Sequence, residues 1–169
     1  MKGDALKLAD NEKFLILLRH GVAEPKGAKP DEERALTDEG HRRMEKIAPA
    51  IRRIFPRAAA IYTSPLVRCA QTAEWVSKAY EGTIPVTPTS ALTPAAGVGD
   101  FRRLLSATTA QYLIFVGHEP NLSTIAATIT GSGFGASTEL KKGGLYGLRY
   151  GDGFAALEWL LPPAVLMAE

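Results

Sequence analysis

One stretch constrains this chain more than any other: Phe14-Leu15-Ile16-Leu17-Leu18-Arg19-His20-Gly21. Five apolar residues run without interruption and then stop at an arginine, a histidine and a glycine. A run of this length, bounded by polar residues, fits a strand buried on both faces. Arg19 and His20 then stand where the strand leaves the sheet, and in open α/β sheets ligands bind outside the carboxyl ends of the strands. Gly21 allows a sharp turn and leaves room for a ligand. An ordinary turn after a strand is the simpler explanation. The pattern recurs, however: Tyr112-Leu113-Ile114-Phe115-Val116 runs into Gly117-His118, in a chain with three histidines in all.

The rest of the chain alternates in the same style. Thr37 reads as a helix N-cap with Asp38 and Glu39 in the first turn. Met44, Ile47, Ala48, Ile51 and Ile54 follow at helical period, with Pro49 set to kink the segment. His41, near that helix start, reads as a solvated surface residue. Ala58–Tyr62 is a second buried strand. Pro65 suits the first position of a helix that runs to Ala79 and carries Arg68 in its first turn. Ile84–Val86 reads as a short strand, and a helix begins near Asp100. Asn121 is placed to cap the helix after His118. The Gly131 to Gly135 segment reads as a loop, and Leu145–Tyr150 and Phe154–Leu161 as a hairpin around Gly151-Asp152-Gly153. Strands alternating with helices predict a three-layer α/β/α sandwich around a mixed, mostly parallel sheet.

No repeat, low-complexity tract or linker divides the 169 residues, which predicts one domain with residues 1–12 as a flexible extension. A formal net charge of +2 is too close to neutral for a nucleic-acid surface. The first residues lack the apolar core of a signal peptide, and no segment approaches a membrane span. A cytoplasmic monomer is the expectation. A single cysteine, Cys69, excludes an internal disulfide and reads as a buried, inert thiol.

Several familiar chemistries find no support. There is no G-x-x-x-x-G-K-[ST] loop and no G-x-G-x-x-G between a strand and a helix. Cys69 has no arginine six positions later, as a cysteine phosphatase would. His118-Glu119 is not followed by a histidine at helical spacing, and three scattered histidines make no metal site. What remains is Arg19, His20, Arg68 and His118, each at a strand's carboxyl end or in the helical turn after it. Arginine grips phosphate with a planar, permanently charged fork. Neutral histidine is a nucleophile near pH 7. This set suits a phosphoryl group in flight, whose charge spreads over three oxygens. A phosphohistidine intermediate would divide the reaction into two easier steps. Spacing alone leaves open which histidine attacks.

Leu18-Arg19-His20-Gly21 resembles the signature of the histidine phosphatase superfamily. Within it the chain is similar to the small SixA-type phosphohistidine phosphatases. Leu36-Thr37-Asp38-Glu39-Gly40, Thr63-Ser64-Pro65-Leu66-Val67-Arg68-Cys69-Ala70-Gln71-Thr72, Leu92-Thr93-Pro94 and Val116-Gly117-His118-Glu119-Pro120 carry the likeness onward. The resemblance implies a phosphoglycerate mutase-like fold, His20 as nucleophile, and Arg19, Arg68 and His118 on the phosphoryl group, with Gly117 beside it. With no ligand cluster in the sequence and cations supplied by the arginines, no cofactor and no metal are expected. The partner would be a phosphohistidine protein or a small phosphorylated substrate. The superfamily's mutases and many of its phosphomonoesterases carry a long helical insertion with a glutamate proton donor. Here only Leu92 to Asp100 occupies that interval. Asp100 and Glu24 are the candidate donors, while Glu119 reads as a helix-dipole partner. A metabolite phosphatase or mutase and a non-catalytic phosphate-binding module are the competing readings.

Overall fold

Phe14 to Leu18 are each fully buried, and their alternation builds both sides of the protein. The computed structural model describes residues 6–132 and 138–168. Strand β1 (Lys13–Arg19) is flanked on both edges, so neither face nor edge meets water. Phe14, Ile16 and Leu18 point into one core, with Met44, Ile47 and Ile51 of α1 (Asp38–Ile54) and Ala73 and Val76 of α2 (Val67–Ala79). Leu15 and Leu17 point into the other, with Phe101 and Leu105 of α3 (Val98–Ala107) and Ile125 and Ile129 of α4 (Asn121–Thr130). Burying each of these β1 side chains contributes about 1.5–3 kcal/mol. The result is the expected three-layer α/β/α arrangement.

The sheet also contains β2 (Ala60–Thr63), β3 (Val86–Pro88), β4 (Tyr112–Gly117), β5 (Leu145–Gly151) and β6 (Phe154–Leu161), in the order β3-β2-β4-β1-β5-β6. β1 pairs parallel with β4, which brings Arg19 opposite Gly117, and β2 pairs parallel with β4, Thr63 opposite Val116. The carboxyl ends of three strands therefore share one edge. β5 and β6 are antiparallel and make the sheet mixed, as the hairpin pattern predicts. Asp152 and Gly153 both have positive φ (51° and 85°), the turn geometry that matches strand twist in a tight hairpin. Helix α5 (Pro163–Leu166) closes the chain. No helix among the described residues is long and apolar enough to cross a membrane.

Several boundaries differ from the sequence reading. β3 is Val86–Pro88, not Ile84–Val86, because Ile84 is drawn into the core from the preceding turn while the edge strand itself is exposed. β2 is likewise shifted from Ala58–Tyr62. Pro65 does not open α2, which starts at Val67 after Leu66. Pro49 does not interrupt α1: it lies on the exposed side, as does Glu45, whose carbonyl it leaves without a helical donor, so water can serve that group. Asn121 is not a cap; its side chain donates to the carbonyls of Thr93 and Ala96 and ties down that loop. His41 is half-buried rather than solvated, and its Nδ1 accepts from Trp75 Nε1 at 3.0 Å, stapling α1 to α2.

Other local readings hold. Thr37 caps α1, its Oγ1 accepting from Gly40 N at 3.1 Å, a bond worth about 1 kcal/mol. Gly40 has no room for a side chain: a Cβ would lie 2.1 Å from the Val22 carbonyl oxygen. The reading that differs is the flexible extension: over residues 6–12 the chain is tied down, with Leu6 accepting from Tyr112, Lys7 from Arg149, and Ala9 from Gln111. Residues 1–5 of the expected extension, and 133–135 of the expected glycine-rich loop, lie outside the described residues.

Candidate active site

Arg19 ends β1 and His20 follows it; His118 follows the end of β4; Arg68 is the second residue of α2. Because β1, β2 and β4 run parallel, these four side chains converge on one cavity of about 370 Å³. His20, Arg68 and His118 are nearly fully buried, and the two imidazole rings lie 5.4 Å apart. The four residues singled out in the sequence thus meet at one cavity.

Backbone bonds fix the turn after β1. His20 N donates to the Gly117 carbonyl at 3.1 Å, and Gly143 N donates to the carbonyls of both Arg19 and His20. Gly143 has φ +82°, and a Cβ there would lie 2.8 Å from Ile47 Cδ1, so this close approach requires glycine. Gly117 does not line the cavity; its carbonyl is taken by His20, so its influence runs through that residue. Gly21 does not make room for a ligand either. A Cβ there would crowd Met44 and Leu36, so the space it leaves is filled by the core.

The two histidines have different hydrogen-bond settings. His20 Nδ1–H donates to the Gly21 carbonyl at 2.7 Å, which leaves the lone pair on Nε2. Burial, reinforced by the nearby His118, Arg68 and Arg19, lowers the His20 pKa to about 3, so the ring stays neutral. His118 Nδ1 accepts from Arg68 at 3.3 Å, and its Nε2 lies 2.8 Å from the buried Ser64 Oγ. Burial and the Arg68 charge lower its pKa to about 4, against an opposing pull from Asp31.

The arginines are held by some of their nitrogens and unsatisfied at others. Arg19 donates from one terminal nitrogen to Glu139 and to the Leu140 carbonyl. Arg68 donates to the Asp31 backbone carbonyl and carboxylate. The Nε–H groups of both are buried and have no hydrogen-bond partner among the described residues. Two permanently charged guanidinium groups beside two neutral imidazoles favour an anion in the cavity.

Asp31, Arg34 and Ser64 escaped the sequence reading. Asp31 sits in a 3-10 turn (Asp31–Glu33), in a segment that composition marks only as an exposed loop. Its carboxylate bridges Arg68 and Arg34, and Arg34 donates on to the Glu24 carbonyl. The opposite charges at a spacing of three, just before buried Leu36, were the available signal. Lys26 and Lys142 also line the cavity.

Each carboxylate lining the cavity is already engaged. Glu24 accepts from Lys29 and from Ala35 N, and these bonds hold it below the usual carboxylate range. Burial would raise Asp31, but the bonds from Arg68 and Arg34 outweigh it and keep its pKa low. Glu119 accepts from Ser123 N and Oγ in the first turn of α4, and from Leu140 N. Asp100 is not in the cavity; it caps α3 at Gly97 N and pairs with Arg103. Cys69 is buried beside His118, and desolvation pushes its thiol pKa up to about 12, which makes it the inert thiol expected. Among the described residues no group of three or more His, Cys, Asp or Glu could hold a metal ion.

Comparison with known proteins gives the same picture. Residues 15–96 match the model of the histidine phosphatase superfamily (branch 1), a span that includes Arg19, His20 and Arg68. An uncharacterised protein of Picosynechococcus sp. is 34% identical over 141 residues, covering 81% of this chain and 85% of its own. The structure of the protein histidine phosphatase SixA complexed with tungstate superposes with a TM-score of 0.79 at 20% identity, over 90% of this chain and 99% of that one. That of the putative phosphohistidine phosphatase SixA from Agrobacterium tumefaciens gives 0.76 at 24% identity, over 89% and 98%. With the Arg19-His20 signature, the strand-end cavity and the matched family model together, the chain belongs to the histidine phosphatase superfamily.

Proposed function

We propose that the protein is a phosphohistidine phosphatase in which His20 is the nucleophile and a phosphorylated protein is the substrate. The observation that carries the mechanism is the bond from His20 Nδ1–H to the Gly21 carbonyl, which directs the Nε2 lone pair away from the backbone. Arg19 and Arg68 bring unpaired Nε–H groups to neutralise the phosphoryl oxygens, and neither can lose its charge. His20 Nε2 attacks phosphorus as the bond to the substrate's imidazole nitrogen breaks, and that ring leaves neutral after taking a proton from solvent. Water then attacks the phosphorylated His20, releasing inorganic phosphate and restoring the free imidazole. The arginine charges take the place a metal would otherwise fill.

The engaged state of Glu24, Asp31 and Glu119 supports phosphohistidine over an ester. An alkoxide needs a well-placed acid as it departs, whereas an imidazole leaves once its ring nitrogen is protonated. Glu24 and Asp31, held below the usual carboxylate range by lysine and by arginine, are poor proton donors. The likeness in fold to proteins described as phosphohistidine phosphatases points the same way.

Rapid quench into alkali followed by mass spectrometry tests the intermediate: phosphate is expected on His20, and phosphate on His118 would refute the assignment. The kcat/KM for a phosphohistidine protein, set against sugar and glycerate phosphates, tests the substrate. A preference for an ester that disappears in Glu24→Gln would make the protein a metabolite phosphatase.

A further inference from the structure

The geometry points to Ser64 as a positioning residue that keeps the proton of His118 on Nε2, and so reserves Nδ1 for a proton shared with a bound phosphoryl group. Arg68 has only donors, so where it meets His118 Nδ1 at 3.3 Å that nitrogen must accept. The one proton of the neutral ring then sits on Nε2 and donates to Ser64 Oγ at 2.8 Å, the shorter of the two contacts. Ser64 is fully buried, so water does not compete for its oxygen. The Cys69 sulfur, 3.5 Å from Nε2, is a much weaker acceptor than a hydroxyl.

His20 and His118 therefore carry opposite tautomers. His20 is protonated on Nδ1 and bare on Nε2; His118 is protonated on Nε2 and bare on Nδ1. The backbone fixes the first; Arg68 and the Ser64 hydroxyl together fix the second. A second proton on His118 can enter only at Nδ1, and the Arg68 N–H that Nδ1 accepts must turn away as it does, since two donors cannot face each other. It comes from solvent or from the monoanionic form of the phosphoryl group itself. Nε2–H stays on Ser64 throughout, and no bond to carbon or phosphorus changes.

The charges around His118 set when this happens. In the empty cavity Arg68, Arg19 and Arg34 oppose a second proton and Asp31 favours it, with the neutral His20 ring across the cavity. Glu119, next in sequence, is occupied by Ser123 and Leu140. A phosphoryl dianion among the arginines reverses the balance, and the imidazolium that forms needs Ser64 to accept its Nε2–H.

Imidazole ¹⁵N NMR tests this directly, since the protein has only His20, His41 and His118. At pH 7 without ligand, His118 is expected as the Nε2–H tautomer and His20 as Nδ1–H. Inorganic phosphate should raise the His118 pKa in the wild type. In Ser64→Ala the rise should shrink by about one unit or more, the loss of one charge-assisted hydrogen bond. Ser64→Thr, which retains the hydroxyl, should restore it. kcat should fall roughly tenfold in Ser64→Ala with KM nearly unchanged. An Nδ1–H tautomer for wild-type His118, or an equal phosphate-induced rise in Ser64→Ala, would overturn the assignment. The kinetic arm rests on the phosphatase reading. The tautomer of the ligand-free protein does not, so activity on an ester alone would refute that reading and leave the Ser64 result standing.

Discussion

Arg68 and Asp31 meet twice: one terminal nitrogen of the arginine donates to the aspartate's backbone carbonyl at 2.6 Å, the other to its carboxylate at 2.9 Å. The arginine is buried in the first turn of α2, while the Asp31 side chain is 46% exposed in the loop above it. Two of the guanidinium's three nitrogens are thereby committed to the loop, and Nε is left unpaired.

That arrangement makes Asp31 an orienting group for Arg68, the arginine proposed to bind the phosphoryl group. Asp31→Asn retains the backbone contact and weakens the carboxylate one. It should lower kcat/KM by about tenfold, because a misplaced binding group loses orientation as well as charge. The effect should vanish in an Arg68→Ala background, where there is nothing left to orient. Equal losses in both backgrounds would assign Asp31 to the loop alone.

Arg19→Ala and Arg68→Ala should each reduce kcat/KM by roughly a hundredfold or more, since each stabilises charge on the same phosphoryl group. The double variant should lose less than the product of the two. Lysine at either position should restore activity only in part, because it lacks the planar fork. Steady-state kinetics on one phosphohistidine substrate decides this.

His20 and His118 tie stability to pH. Both have folded-state pKa values, about 3 and about 4, below the unfolded value of about 6.5. Above pH 6.5 neither state protonates them and their contribution is fully present. As pH falls below 6.5 the unfolded chain takes up protons that the folded protein refuses, so stability drops towards pH 4. The slope should approach about 1.4 kcal/mol per pH unit for each histidine. Denaturant melts between pH 7 and 4 should show this loss, and His20→Asn or His118→Asn should flatten it. A slope unchanged in both variants would disprove the linkage.

Chelators should leave turnover intact, because the arginines themselves neutralise the phosphoryl charge. The measurement is the rate in excess EDTA after exhaustive dialysis. Loss of activity that a divalent cation restores would contradict the prediction.

The sequence by itself determined the elements whose information is local. The β1 run specifies a two-sided buried strand because every residue in it is apolar, and its abrupt end marks where Arg19 and His20 emerge. Thr37 at a helix start and Asp152-Gly153 in a hairpin act through their own backbone neighbours, so they too were legible. Tertiary structure alone decided which groups meet across long separations. Asp31 reaches Arg68 over 37 residues and Ser64 reaches His118 over 54, pairings set by the order of parallel strands rather than by any local pattern. His41 became a helix–helix contact because Trp75 arrived beside it, and Gly21 became a packing position because Met44 did. The tautomer of His20 was decided the same way: the turn after β1 brings the Gly21 carbonyl within 2.7 Å of Nδ1, and no spacing of letters encodes that distance.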